Sequence, residues 1–207
     1  MIRIYKNTIE EENRLKILEM VRNLPEMAYN QSVCTDEAVG QLKDWMPLFA
    51  MGKLWNMHSQ MRLRIQDDFG LTQKGIELVP PEYNKATSSM FITVDRRLPG
   101  ASLGRHRDIP TGTFKKHIGA EDGQSRITMS AIYYWNDNFE GGELQFTDRS
   151  LPKLQTSVNP NFLNYPYIYK PVAGDLVVFP SNLEHQILTI TDGVRYTTQH
   201  FFDRTVL

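Results

Sequence analysis

A mainly β fold with helices at its N-terminal end, α+β in class, is what this sequence predicts. Two amphipathic stretches occupy the first third of the chain, and the remainder breaks into short runs rich in β-branched and aromatic residues. Gly, Pro, Asn and Asp separate those runs. Short strands punctuated in this way suggest a double-sheet jelly roll, the double-stranded β-helix of cupin-like form, with the helices packed on its outer sheet.

The first helix is expected after Asn7-Thr8, which offers a cap. Leu15, Leu18 and Val21, with Ile17 and Leu24, recur at helical spacing, and Pro25 closes the element. In the second, Leu54, His58, Met61, Ile65 and Phe69 step by three or four until Gly70 stops it. His58 lies on that apolar stripe and reads as a core histidine, not a ligand. From about residue 75 strands dominate, at 89–95, 126–135, 143–146, 167–172, 175–179, 185–190 and 194–202. Gly141-Gly142 marks a tight turn that needs positive φ. Segments 109–125 and 150–169, rich in Gly, Pro and Asn, are expected to form a mouth. His117 falls in the first of these beside Lys115 and Lys116 and reads as solvated.

Length and composition suit one domain over residues 1–207, with helical support at 1–74 and a β core over about 75–207. Hydrophobic content of 41%, charged content of 23% and a net charge of -1 argue against disorder and against bulk affinity for nucleic acid. Cys34 is the single cysteine, so no internal disulfide forms. The start Met1-Ile2-Arg3-Ile4-Tyr5-Lys6 lacks the apolar run of a signal peptide, and no stretch approaches the roughly 18 apolar residues of a membrane span. A cytoplasmic, reducing location is the expectation, with no membrane partner.

Chemistry concentrates in His106, Asp108, His185 and Arg195. His106 and Asp108 stand in Gly104-Arg105-His106-Arg107-Asp108, where the period of two in an extended strand points both the same way. A second strand, Asp175-Leu176-Val177-Val178-Phe179-Pro180, leads into His185 and can bring a third ligand from across a small barrel. Two imidazoles and one carboxylate make the facial triad that holds non-haem Fe(II) and leaves coordination positions open. Ten residues after His185, Arg195 can pair bidentately with a carboxylate, and Thr197 shares its face and can add a hydroxyl. Phe201 continues that face, whereas His200 falls out of phase and is expected to point away.

These residues resemble the Fe(II)- and 2-oxoglutarate-dependent dioxygenases, in particular their prolyl 4-hydroxylase-like branch. The resemblance runs from about Ser89 to Asp203. It is carried by His106-Arg107-Asp108, Ile132-Tyr133-Tyr134-Trp135-Asn136, Phe139-Glu140-Gly141-Gly142-Glu143-Leu144, Ala173-Gly174-Asp175, and His185 with Arg195-Tyr196. It implies His106, Asp108 and His185 as iron ligands and catalytic centre, and Arg195 as partner of the distal carboxylate of 2-oxoglutarate. It further implies Tyr134 as a hydroxyl donor to that carboxylate, Thr197 as a second donor, O2 as co-substrate and ascorbate as a possible reductant. Two departures stand out. Thr93-Val94-Asp95-Arg96-Arg97 carries no Tyr where this branch often has one, and Phe201 stands where a Trp is common.

The expected reaction is hydroxylation of a prolyl or related residue in a peptide or protein, coupled to decarboxylation of 2-oxoglutarate to succinate and CO2. A free amino acid or other small molecule is an alternative substrate. An oxidative demethylase of nucleic-acid bases and a non-catalytic cupin-like binding module are alternative functions. The demethylase is disfavoured because such enzymes usually carry a second Arg six residues beyond the first, here Phe201, and because the chain has no basic excess to meet phosphate.

Overall fold

A computed structural model describes residues 1–25, 48–78, 92–108, 127–147 and 167–203. Cys34, His117 and most of the expected mouth segments 109–125 and 150–169 lie outside the described residues. The chain runs β1 (Arg3–Tyr5), α1 (Glu11–Arg22), α2 (Leu48–Asp68), a 3-10 turn (Thr72–Lys74), β2 (Ile92–Arg97), β3 (Leu103–His106) and β4 (Ile127–Tyr134). It continues through β5 (Phe139–Gly141), β6 (Leu144–Phe146), β7 (Tyr167–Tyr169), β8 (Leu176–Pro180), β9 (His185–Ile187), β10 (Ile190–Gly193) and β11 (Arg195–Asp203).

A five-stranded sheet in the order β1-β8-β4-β11-β2 faces a four-stranded sheet in the order β3-β9-β6-β7, and β5 pairs with β10. Every pairing is antiparallel. This is the double-stranded β-helix expected from the strand pattern.

The larger sheet is buried on both faces, so its side chains divide by parity. Met129, Ala131, Tyr133 and Trp135 pack with Leu176, Val178 and Phe202 against Ile17, Leu18 and Val21 of α1 and Leu54, Met61 and Ile65 of α2. The alternate residues Ile132, Tyr134, Val177 and Phe179 face the other way and meet Leu144, Phe146, Tyr169 and Ile187 of the smaller sheet. A strand with water on neither side reads as a nearly continuous apolar run, which is why β8 shows no polar alternation. The helices thus support the outer face of one sheet, and the site occupies the space between the two. Among the described residues no helix is long and apolar enough to cross a membrane.

Several elements differ from expectation. Helix α1 begins after Glu10, which makes no side-chain cap bond, and not at Thr8, whose hydroxyl meets Met57 Sδ at 3.3 Å. Asn7 adopts φ 55° and turns the chain between β1 and α1. Leu15 is exposed, and Arg14 lies inward in its place because its Nη1 donates to the carbonyl of Trp135. The apolar run 185–190 is divided into the end of β9 and the start of β10. Between them the carbonyl of Thr189 accepts from Gly142 N, and Gly141 packs so closely that a Cβ there would lie 2.1 Å from the same oxygen.

His58 and His200 meet where α2 crosses β11. Their Nδ1 atoms are 3.3 Å apart, both rings are buried, and His58 stacks on Phe202 with centroids 4.1 Å apart. One Nδ1 donates and the other accepts, so the accepting ring is neutral. Burial, with a smaller contribution from Arg62, pushes the His58 pKa down to about 3, and burial and His58 push His200 well below its ordinary value.

In the unfolded chain these rings titrate near 6.5, so below that pH the unfolded state binds more protons and stability falls. Between pH 7 and 5, above the range of most carboxylates, His58 alone should account for a loss of about 2 kcal/mol. Denaturant melts across that range should show the decline in the wild type and a shallower one in His58→Gln. Equal slopes would place the titrating groups elsewhere.

Candidate active site

Strands β3 and β9 pair so that His106 stands opposite His185, with ring centroids 4.2 Å apart. Each ring is turned by its own backbone. Nδ1 of His106 donates to the carbonyl of Gly104 at 2.8 Å, and Nδ1 of His185 to the carbonyl of Leu183 at 2.9 Å. A carbonyl only accepts, so Nδ1 keeps its proton in both rings, and each Nε2 carries a free lone pair in the neutral ring and donates in the imidazolium form. Both Nε2 atoms point at Asp108, at 3.3 Å from Oδ1 for His106 and 3.7 Å from Oδ2 for His185.

Asp108 lies just past the end of β3, held by its backbone N–H donating to Ser181 O at 3.0 Å. The three ligand atoms fall within 4.8 Å of one another, in the arrangement of a metal site. Burial would raise the Asp108 pKa, but hydrogen bonding from His106 and the neighbouring His185 hold it below the ordinary value. His106 is raised: burial opposes this, and the Asp108 carboxylate and Gly104 carbonyl outweigh it. His185, deeper and edge-on to Phe179 at 4.7 Å, is lowered by burial despite the pull of Asp108.

Arg195 opens β11 and is fully buried. Its Nη1 donates to Asp95 Oδ2 and to Thr197 Oγ1, each at 3.3 Å, while Nε and Nη2 have no hydrogen-bond partner among the described residues. Those two nitrogens form the side-on fork of a guanidinium, the edge that matches a carboxylate bidentately. Tyr134 stands against it, with the guanidinium carbon 5.1 Å from the ring centroid. The Tyr134 hydroxyl is likewise buried without a partner, and burial raises its pKa against the pull of Arg195. Leaving buried donors unmet costs about 1–3 kcal/mol each, more for a charged group. Three such donors together are the signature of an anion site.

The structure gathers the six residues expected at the site into two clusters. His106, Asp108 and His185 form one cluster, and Arg195, Tyr134 and Thr197 form another on the same interior of the barrel. Thr197 spends its oxygen on Arg195 and keeps its proton to donate. Phe201 lies opposite Ser130 in the β11–β4 register and is half-buried, while His200 faces the helices as expected.

Three contributors are given no role at the site by the sequence. The Ser130 hydroxyl, 2.8 Å from that of Ser181, is among the groups that hold the Asp108 pKa down. Gly142, at φ 67°, leaves room for Arg195, whose Cδ would be 3.3 Å from a Cβ there. Asp95 completes the surroundings of Arg195. A carboxylate at an inward position of a strand, flanked by Val94, was the available signal, because a buried charge needs a partner.

Residues 92–203 match the family described as the 2OG-Fe(II) oxygenase superfamily. Among solved structures, a prolyl-4-hydroxylase from Pseudomonas putida aligns at 20% identity over 99% of this chain and 88% of that one, with a TM-score of 0.58. A prolyl hydroxylase from Trichoplax adhaerens, in complex with a hypoxia inducible factor oxygen degradation domain peptide fragment, aligns at 16% identity over 98% and 83%, with a TM-score of 0.60. A viral collagen prolyl hydroxylase from Paramecium Bursaria Chlorella virus-1, as its 2OG complex, aligns at 14% identity over 99% and 96%, with a TM-score of 0.53. At these identities the likeness is one of fold. No match was found among the curated proteins.

Removing either imidazole takes away one of three candidate metal ligands, while stability rests on the two apolar clusters. His106→Ala and His185→Ala should each lose stoichiometric Fe(II) binding in anaerobic titration and keep the wild-type circular dichroism spectrum. Undiminished binding in either variant would dissolve the triad.

Proposed function

We propose that this chain, which belongs to the 2OG-Fe(II) oxygenase superfamily, hydroxylates a prolyl or related residue of a peptide or protein. It is an oxidoreductase that uses Fe(II), 2-oxoglutarate and O2. The observation that carries the site reading is the pair of complementary half-sites inside one barrel: two imidazole lone pairs aimed at a carboxylate, and a buried guanidinium with one bare edge.

Both groups fit the residues present. A cation suits three donors of which two are imidazole nitrogens and one is a carboxylate oxygen, with Nδ1 of each ring already engaged so that Nε2 is the atom left to bind. A dicarboxylate suits the unmet Nε and Nη2 of Arg195 and the unmet hydroxyl of Tyr134. His106, Asp108 and His185 would hold the iron, and Arg195, Tyr134 and Thr197 the distal carboxylate. When bound, iron and 2-oxoglutarate supply the oxidising chemistry: decarboxylation to succinate and CO2, with one oxygen atom of O2 delivered to the substrate.

The chain's own part is geometric and electrostatic. The carbonyls of Gly104 and Leu183 fix ring rotation and tautomer, so the ligands need little reorganisation. Ile132, Leu144, Phe146, Phe179 and Ile187 surround the site with apolar surface that keeps water out. Arg195 and Tyr134 would orient a bound dicarboxylate through their unmet donors.

The substrate class rests on two supports. Phe201, half-buried on the site face of β11, offers an apolar ring to pack a pyrrolidine or similar side chain, where a nucleic-acid enzyme would want a cation. The structural relatives are prolyl hydroxylases, and one of them is in complex with a peptide. A small-molecule substrate is the alternative, since the ring of Phe201 would serve it equally.

Arg195→Met should raise the KM for 2-oxoglutarate roughly ten- to hundredfold, since a charged hydrogen bond contributes about 1.5–3 kcal/mol. Arg195→Lys should recover part of that by keeping charge without the planar fork. For the substrate, the Fe(II) enzyme should release succinate and add one oxygen atom to proline-rich peptides, and leave methylated oligonucleotides unchanged. Demethylation of the oligonucleotides without peptide hydroxylation would overturn the assignment.

A further inference from the structure

Strand β2 lies beside β11 with Asp95 opposite Thr197 and Arg97 opposite Arg195. The register puts two guanidiniums and one carboxylate on the same face of the sheet. Asp95 Oδ2 accepts from Arg97 Nε at 2.7 Å and from Arg195 Nη1 at 3.3 Å. Arg97 Nη1 reaches on to the carbonyl of Ser102 at 3.1 Å. The side chains of Asp95 and Arg195 are 7% and 0% exposed, so this is an interior arrangement with little water to screen it.

Two consequences follow. The guanidinium of Arg195 is anchored through Nη1 alone, by Asp95 and Thr197 together, and both anchors lie on the side away from the Nε/Nη2 edge. Rotation of the group would exchange the bare edge for the anchored one, and these contacts oppose it. In charge, two cations and one anion leave a single uncompensated positive charge, which one ligand carboxylate neutralises.

We propose that Asp95 is a positioning residue for the co-substrate: acting through Arg195, it fixes which edge of the guanidinium meets the ligand and sets the charge that the pocket accepts. The proposal rests on the reading of Arg195 as the carboxylate anchor. The opposite role, a built-in competitor that occupies Arg195 until ligand arrives, fits the geometry less well. Asp95 touches neither Nε nor Nη2, and its contacting oxygen is already shared with Arg97.

The test uses direct binding to the intact protein loaded anaerobically with Mn(II), by calorimetry, with two probes. 2-Oxoglutarate reaches both half-sites, whereas oxalate offers only the metal-binding end. Asp95→Ala should weaken 2-oxoglutarate about tenfold or more and leave oxalate within about twofold. With Fe(II), kcat at saturating 2-oxoglutarate should stay near wild type while KM rises. Asp95→Asn, which keeps an oxygen acceptor for Nη1, should show a smaller rise and serves if the alanine variant does not fold. Combined with Arg195→Met, Asp95→Ala should add nothing further, as expected of a residue acting through another.

Tighter 2-oxoglutarate binding in Asp95→Ala would make Asp95 a competitor, and equal weakening of both probes would make its role structural. Either result overturns the proposal while the anchor reading survives. Unchanged 2-oxoglutarate binding in Arg195→Met would overturn both.

Discussion

Burial of β11 on both faces is the constraint on which the rest of this structure depends. The strand lies between β4 and β2, with helices behind it and the barrel interior in front, and Arg195, Thr197, Thr198, His200 and Phe202 are buried, so residues of both its faces are withdrawn from water. A period of two then forces a division. Thr198, His200 and Phe202 belong to the helix side, where Thr198 Oγ1 accepts from Trp135 Nε1 at 2.6 Å and His200 meets His58. Arg195, Thr197 and Phe201 belong to the interior. A slip of one residue would put Val194 or Tyr196 in the place of Arg195 and turn the guanidinium toward the helix side, so register and chemistry are specified together.

The same constraint explains the polar economy of the site. An interior guanidinium is tolerable only with partners, and this one has acceptors for Nη1 and none for its other two nitrogens. The structure thus retains an unfavourable arrangement at one place, and the compensating group would be a ligand. The two histidines follow a similar logic with a different outcome. Their Nδ1 donors are met by carbonyls two residues back, and only the nitrogens aimed at Asp108 are left with free lone pairs. His58 and His200, by contrast, use Nδ1 on one another and serve the helix–sheet contact. Four buried or half-buried histidines of one chain therefore divide into two pairs by what their Nδ1 atoms touch.

Much of this was legible in the sequence because it depends on local spacing. His-x-Asp places two ligands from three residues, the run Leu176 to Pro180 announces a strand that leads to the third, and alternation from Arg195 through Thr197 to Phe201 identifies one face. What was not legible depends on register between strands distant in sequence. Asp95 sits in a stretch notable for lacking a tyrosine, and its meaning appears only when β2 is laid against β11. The apolar run 185–190 reads as one strand, since nothing in its composition reveals that Gly141 will approach the carbonyl of Thr189. Leu15 fits the helical stripe as well as its neighbours do, and loses its place inside only because Arg14 finds the carbonyl of Trp135. Strand β1 is three residues long, too short for any periodicity to show.

A crystal of the protein soaked anaerobically with Fe(II) and 2-oxoglutarate tests the central claim most directly, because it reports metal, co-substrate and protein contacts at once. The proposed reading predicts iron on Nε2 of His106, Nε2 of His185 and a carboxylate oxygen of Asp108. It also predicts the distal carboxylate of 2-oxoglutarate on Nε and Nη2 of Arg195, within reach of the Tyr134 hydroxyl, with Nη1 still on Asp95. Iron bound elsewhere, or a co-substrate whose distal carboxylate leaves the Nε/Nη2 edge of Arg195 bare, would contradict it.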